Sequence, residues 1–392
     1  MDSDTISRPQ TILVGAFVLV FLFLVTQRIT TYLVHQKLIK QHGCQPPAKL
    51  PHKDPFFGID EIRDALRAAK SKTFLERKRG QYEQHGNTFS SRLSTLDVIS
   101  TIEPENVKTV LSTKFADYVV GFPRRNAFSP LLGNSIILSD GARWEHSRAL
   151  LRSCFTRNED SDLMILELHV KNLIQAIPRD QSTVDLGDLF QRFTADVTTD
   201  FMFGESILSL VQPDSLQADL TRAIHEAQLG CEQRFRLGRF ARFVRQPGFY
   251  KAVKDVHRFM KAYVDKALEY RASLRDEELQ QHSRDIATTN ERSIFMHKLS
   301  KLTNNRQVLQ DELLTIFFAG RDTTSALLSN LFFVLARNPH IWQRLRAEID
   351  QLQGARPTIQ AMKAMTYLRY CINESRITLL TFTNTLAALL IA

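Results

Sequence analysis

A long apolar helical pattern runs through residues 309–335, and a polar stretch at residues 317–325 interrupts its middle. Gly320, within that stretch, costs about 1 kcal/mol in a helix interior. The two threonines at 323 and 324 offer hydroxyls to preceding carbonyls, which bends or loosens a helix, and Asp322 costs stability unless it is solvated or paired. Residues that disfavour a helix, inside a pattern that otherwise strongly predicts one, are expected at functional sites. The alternative is that this stretch is the polar face of an amphipathic helix.

Two further patterns accompany this stretch. Trp144 and Arg148 are four residues apart, which places them on one face of a helix. An indole N–H and a guanidinium can then converge on one carboxylate. Residues 368–375 read Leu-Arg-Tyr-Cys-Ile-Asn-Glu-Ser and begin another helical pattern that contains Glu374.

Taken in order, these three patterns resemble the cytochrome P-450 family of haem-thiolate monooxygenases. The sequence Ala-Gly-Arg-Asp-Thr-Thr at residues 319–324 resembles the oxygen-activation motif, and Trp144 with Arg148 resembles the haem-propionate pair. Residues 43–58, 203–206 and 234–239 resemble the fungal alkane and fatty-acid hydroxylases within that family. The resemblance implies a mainly α fold with a small β-sheet, and haem (haem b) as the cofactor.

The resemblance also assigns roles to residues. Thr323 would hold a water beside the oxygen site and Asp322 would relay protons from solvent. Ala319 and Gly320 would leave room for oxygen over the haem, and Trp144 and Arg148 would clamp a propionate. The sequence offers no metal-ligand spacing of its own.

Two departures from the family pattern lead to a second expectation. The family has an Arg three residues after the Glu of its Glu-x-x-Arg pair, whereas Arg376 follows Glu374 by two. The family's cysteine lies in a glycine-rich loop, and none of the four cysteines, Cys44, Cys154, Cys231 and Cys371, has that setting. We therefore expect a chain truncated before the loop, with doubtful haem binding and a divergent tail at 376–392; a short C-terminal membrane tail is the alternative.

The net charge and the cysteines limit the classes of partner and the cellular compartment that we expect. The net charge is +9, which suits either nucleic acid or an anionic membrane surface. No nucleic-acid recognition module is present, so we expect membrane lipid as a partner and no nucleic acid. Arginines alternate with apolar residues over 234–245, which predicts either a membrane-surface helix or a solvated cationic face packed on the core. Scattered cysteines predict no disulfide framework and a reducing compartment.

The N-terminus predicts an anchor. Residues 12–25 are uncharged and apolar, although a membrane span needs about 20 residues, and a cleaved signal peptide is the competing interpretation. Positive charges after the run place the body in the cytoplasm, which with the family suggests the endoplasmic reticulum. We divide the chain into a tail (1–10), a single-pass membrane anchor (11–34), a proline-rich linker (35–57), a partial P-450 domain (58–375) and the apolar tail.

The remaining pattern is mainly helical. A small sheet is predicted at residues 87–94 and 96–102, and a poorly ordered polar loop at 274–303. Helices are predicted at 59–86, 103–113, 141–155, 160–177, 188–204, 215–232, 248–275, 306–337 and 339–353.

Two functions follow from the sequence. The first is an O₂-dependent monooxygenase that hydroxylates a lipophilic aliphatic substrate, such as an alkane, fatty acid or polyketide chain. A separate NADPH–cytochrome P-450 reductase would donate electrons, because the chain has no nucleotide-binding glycine motif. The second is a truncated, non-catalytic product that lacks the haem-thiolate ligand; the sequence leaves enzymatic activity uncertain.

Overall fold

The computed structural model describes residues 8–71, 73–93, 96–155, 159–180, 182–212, 216–274 and 294–379. They are mainly helical with one small sheet, which confirms the predicted fold class. The α-helices are α1 (Arg8–His42), α2 (Ile59–Lys70), α3 (Phe74–His85), α4 (Pro104–Lys108), α5 (Phe122–Leu132), α6 (Gly141–Cys154), α7 (Glu159–Ala176), α8 (Leu186–Phe203), α9 (Leu216–Leu237), α10 (Pro247–Ser273), α11 (Phe295–Leu302), α12 (Arg306–Arg337), α13 (Pro339–Asp350), α14 (Ile359–Ala364) and α15 (Thr366–Leu379). Shorter helical turns are Thr109–Thr113, Phe115–Asp117, Ile136–Leu138 and Gly238–Phe243.

The sheet is built on the predicted hairpin. Strands β2 (Thr88–Leu93) and β3 (Leu96–Thr101) pair antiparallel, with Thr88 opposite Thr101. A two-residue strand, β1 (Ala48–Lys49), adds to β2 in parallel. The sequence did not predict β1, because two residues after a proline pair carry no alternating pattern.

The apolar pattern at 309–335 forms the centre of α12. The Asn305 side chain caps this helix by accepting from the backbone N–H groups of Gln307 and Val308, as an N-cap residue does. The helix ends at Arg337, one residue before Asn338-Pro339, where proline cannot continue it. Helix α12 packs most extensively on α8, and the main core joins residues of α5, α6 and α8–α12.

Most predicted helices are present, but the single helix predicted at 59–86 is two helices, α2 and α3. Three further helices were missed, one of them inside a predicted loop. Helix α5 contains Pro130, which obscures a helical pattern because proline usually breaks a helix interior. Helix α14 is only six residues long. Helix α11 lies in the predicted polar loop at 274–303: its Phe295, Met296 and Leu299 are buried in the core. Residues 275–293 of that loop lie outside the described residues.

The predicted membrane anchor is not supported. Residues 11–34 do lie in one helix, α1. Among the described residues, however, no helix is long and apolar enough to cross a membrane. The uncharged apolar run ends soon after Val25, at Gln27-Arg28, short of the roughly 20 residues that a span requires.

Gly133 provides a test of how α5 meets α12. It follows α5 at φ +57°, and a Cβ there would lie 2.1 Å from Asp311 Oδ1. We expect Gly133→Ala to lower the free energy of unfolding by about 2–5 kcal/mol, the sum of left-handed strain and overpacking. Denaturant unfolding measures this change.

Gly43→Ala is the matched control. Gly43 has φ +61° and no atom within 4 Å of its would-be Cβ, so its loss should be limited to the strain of about 1–2 kcal/mol. Equal losses at the two glycines would contradict the close contact with Asp311.

Candidate functional site

The polar stretch of α12 has exposed residues next to buried ones. Ala319, Thr323 and Thr324 are exposed, whereas Phe317 and Arg321 are buried. Residues 319 and 323 are four apart, so they lie on the same face of the helix. The predicted catalytic Thr323 and the predicted cofactor-binding Ala319 are therefore neighbours on a surface that the described chain leaves open.

The hydroxyls of Thr323 and Ser325 form hydrogen bonds within the helix. Thr323 Oγ1 donates to the Ala319 carbonyl at 2.7 Å, and Ser325 Oγ donates to the Asp322 carbonyl at 3.1 Å. These are the back-bonds to the preceding turn that the sequence suggested. The Thr323 hydroxyl therefore has to leave Ala319 before it can donate elsewhere.

Among the described residues, the Asp322 carboxylate accepts hydrogen bonds from Arg321 and Gln228 and not from the Thr323 side chain. Its Oδ1 accepts from Arg321 Nη1 at 2.8 Å, and its Oδ2 accepts from Gln228 of α9. The side chain is 23% exposed. Burial raises the pKa of the Asp322 carboxyl, and the Arg321 charge and the bond from Gln228 only partly offset that effect.

Arg321, which the sequence did not single out, is the buried centre of the network. It is 4% exposed and also donates from Nη2 to Gln191 Oε1 of α8 at 3.3 Å. Thr194 of α8 donates to the Arg321 carbonyl at 2.9 Å. A charged residue inside an apolar helix was the available signal, because such a residue needs a partner when it is buried.

Gly320 faces α8. A Cβ at this position would lie 3.0 Å from Thr198 Oγ1 and 3.1 Å from Thr198 Cγ2. The absence of a side chain therefore lets α8 and α12 approach closely. The predicted role of Gly320 in making room for oxygen stays a prediction.

Trp144 and Arg148 lie together on α6. The Arg148 guanidinium carbon is 5.3 Å from the centre of the Trp144 ring, and the Phe115 and Trp144 ring centroids are 5.0 Å apart. Arg148 is exposed, and its guanidinium lies over the Trp144 ring. The pair is stacked and accessible, which leaves the guanidinium free to receive an external carboxylate.

The cysteines show no thiolate setting. Burial raises the pKa of the Cys154 thiol to about 11 and that of the Cys231 thiol to about 12. Burial and the nearby Glu348 also raise the pKa of Cys371, and Cys44 is exposed in the linker. The described residues contain no group of three or more His, Cys, Asp or Glu that could hold a metal ion.

The Glu374 pattern is only partly visible. Glu374 is exposed on α15, while the Arg376 side chain and residues 380–392 lie outside what the structure describes. Two buried carboxylates, Asp311 and Glu312 of α12, were missed altogether. Their signal was two acids inside the apolar run at 309–318.

Comparison with known proteins identifies relatives of the chain. A family model described as Cytochrome P450 matches residues 65–377. The chain is 40% identical over 341 residues to "Cytochrome P450 monooxygenase himC" of Aspergillus japonicus, an alignment that covers 85% of this chain and 59% of that protein. It is 37% identical to "Cytochrome P450 monooxygenase FPY7" of Fusarium mangiferae, over 95% of this chain and 71% of the relative.

A yeast relative extends the match. "Cytochrome P450 52A12" of Debaryomyces hansenii is 35% identical over 95% of this chain and 72% of its own length. These relatives are fungal, as the sequence resemblance predicted, and the chain spans less than two thirds of the length of himC. The family implies haem as cofactor. The open face of α12 and the accessible Trp144–Arg148 pair fit that group. Cys154 and Cys231 do not fit as its ligand, because both are packed inside the main core.

The contact between Gly320 and Thr198 can be measured by a double-mutant cycle. Gly320→Ala gains about 1 kcal/mol of helix propensity but crowds Thr198, and Thr198→Ala removes both crowding atoms. We expect Gly320→Ala to be more favourable by about 1 kcal/mol when Thr198 is alanine. Urea unfolding of the four proteins measures the coupling, and additivity would rule out the close approach.

Asp322 should make stability depend on pH. Its folded pKa is raised above the ordinary value of 3.8, so the native state holds the proton more tightly than the unfolded chain does. The resulting stabilisation is complete below pH 3.8 and is lost as pH rises through the folded pKa. We expect Asp322→Asn to become more stable relative to wild type as pH rises through this window.

Denaturant unfolding at several pH values is the measurement. Asp219→Asn removes a carboxylate whose side chain is 72% exposed on α9 and serves as the control for the lost charge. Parallel pH curves for wild type and Asp322→Asn would contradict the raised pKa.

Proposed function

The chain belongs to the cytochrome P450 family, and we propose that it forms the oxygen-activation side of a monooxygenase that hydroxylates a lipophilic aliphatic substrate. The observation that carries the proposal is the open face at Ala319 and Thr323 in the middle of helix α12, beside the buried residues Phe317 and Arg321. An exposed threonine and alanine there give no packing energy, so a bound group that covers them accounts for the face. Haem, when bound, supplies the activation of O₂.

The chain's own residues would handle protons and orient the cofactor. Asp322 can hold a proton at its carboxyl, since burial raises its pKa, and Arg321 and Gln228 fix its orientation. The Thr323 hydroxyl would exchange its bond to Ala319 for one to a water. Arg148, stacked on Trp144, would bind a propionate of the cofactor.

An open cleft between α2 and residues 233–246 supports an aliphatic substrate. It has a volume of about 680 Å³. Phe57, Ile59, Ile62 and Leu66 form one side, and Leu237 and Val244 contribute apolar surface on the other. Apolar walls of this kind bind a hydrocarbon chain by burying it, so we propose an alkane, fatty acid or polyketide chain as the substrate class.

The partners are part of the proposal. Electrons would come from a separate NADPH–cytochrome P450 reductase, because the sequence has no nucleotide-binding glycine motif of its own. The exposed run at 242–245, in which Arg242 lies over the Phe243 ring, would touch anionic membrane lipid. We accordingly place the protein at the endoplasmic-reticulum membrane.

A second candidate is a haem-domain portion that is not catalytic by itself. The positions of Cys154 and Cys231 favour it, since both thiols are buried among apolar side chains of the main core and neither opens onto the face of Thr323. In this case the 392 residues would bind haem through the distal residues and would not show thiolate ligation.

Haem binding tests the proposal directly. We expect Arg148→Ala to weaken hemin binding by about tenfold, the loss of one charge-assisted hydrogen bond. Arg152→Ala, an exposed arginine one turn further on α6, should leave the affinity unchanged. The quenching of tryptophan fluorescence during hemin titration measures both.

The reduced carbon-monoxide difference spectrum separates the two candidates. A Soret band at the thiolate position favours an active monooxygenase, and one at the shorter wavelength of haem without thiolate favours the second candidate. Equal hemin affinity for wild type and Arg148→Ala would overturn the assignment of the propionate site.

A further inference from the structure

Asp311 joins the central helix to the turn that precedes α6. Although it is only 5% exposed, its Oδ2 accepts from the backbone N–H of Asn134 at 2.8 Å. Its Oδ1 accepts from Gln307 Nε2 at 2.7 Å. The carboxyl also lies against the Cα of Gly133, so α12 and the 133–136 turn are in direct contact.

Glu312 extends the same connection to α6. It is 1% exposed, and its Oε2 accepts from the backbone N–H of Ile136 at 3.2 Å. The buried hydroxyl of Ser147 also lies beside Glu312 and acts to lower the pKa of that carboxyl. Ser147 lies on α6 between Trp144 and Arg148, so one carboxylate contacts the helix that carries that pair.

These acids are costly to the fold. Burial raises the pKa of both carboxyls, since the ionised form loses its hydration. Well-packed apolar residues of similar volume in such positions are often neutral or stabilising. Two adjacent acids are therefore a poor solution for stability alone, and the bonds that they accept are directional.

We propose that Asp311 and Glu312 are positioning residues that hold the 133–136 turn and α6 against α12. They would thereby set the place of Trp144 and Arg148 relative to Asp322 and Thr323. We call the contacts of Asp311 and Glu312 with Asn134, Ile136 and Ser147 the carboxylate clamp. The clamp itself does not depend on the proposed function. The importance for haem of the position of Trp144 and Arg148 relative to Asp322 and Thr323 does depend on it.

The titratable groups around the clamp are few among the described residues. His257 of α10 acts on Asp311, and His146 of α6 and Asp311 both act on Glu312. A test at one pH with uncharged variants avoids these couplings. Trp144 is the natural reporter, because the chain has two tryptophans and Trp342→Phe leaves Trp144 alone.

The experiment compares Glu312→Leu and Glu312→Gln in the Trp342→Phe background. Leucine keeps the volume without an acceptor, whereas glutamine keeps one acceptor. We expect Glu312→Leu to retain its circular dichroism, to exchange the Ile136 amide at least about tenfold faster, and to expose Trp144 to acrylamide quenching. Glu312→Gln should stay close to the parent in both measurements.

Glu348→Leu is the matched control. Glu348 accepts from the backbone N–H groups of Tyr367 and Leu368 at 2.8 Å each, so it makes a similar clamp between α13 and α15. Its loss should leave Trp144 quenching unchanged. A folded Glu312→Leu with unchanged Trp144 quenching would overturn the proposal.

A second variant decides the case if Glu312→Leu does not fold. Ser147→Ala removes only the donor on α6, and we expect it to increase Trp144 quenching with the fold intact. No change in that variant would also overturn the proposal. Hemin affinity is a separate measurement. If Trp144 quenching increases in the clamp variants while Arg148→Ala keeps the wild-type hemin affinity, the clamp is supported and the propionate site at Arg148 is rejected.

Discussion

The buried ion pair between Arg321 and Asp322 is the interaction on which the helices around α12 depend. A guanidinium that is 4% exposed is tolerated only when its charge and its N–H groups are satisfied. Arg321 reaches Asp322 and Gln191 of α8, and Asp322 accepts from Gln228 of α9. Removing one partner leaves a buried charge unsatisfied, so α8, α9 and α12 fix one another's positions.

The sequence predicted the elements whose signals are local. The pattern of α12, its end before Pro339, and the β2–β3 hairpin are all written in short stretches of chain. The sequence failed where a local signal misleads or is absent. Pro130 hid α5, and α11 is too short for a clear period although Phe295 is buried. A 14-residue apolar run was taken for a membrane span that α1 does not provide.

The residues of the candidate site also divide into those with a local sequence signal and those that only the packing brings together. Asp322 and Thr323 could be identified because they break the rules of an apolar helix. Gln228 could not, since it lies 94 residues before Asp322 and only the packing of α9 on α12 brings them together. Gly320 is a third case: the structure shows its close packing on Thr198, which the sequence could not predict, and its expected role in leaving room for oxygen stays a prediction.

Two pairs of polar residues on the apolar helix α12 explain how the site can be rigid while one face of it stays open. Asp311 and Glu312 bind the turn before α6, and Arg321 and Asp322 bind α8 and α9. The two pairs are ten residues apart, about 15 Å along the axis. Thr323 is exposed one residue beyond Asp322, so its position is set by buried contacts while its own face stays open. Because the helix between these two sets of contacts is stiff, the proposed clamp on α6 and the network at Asp322 would together determine where the ligand proposed over Thr323 meets Arg148.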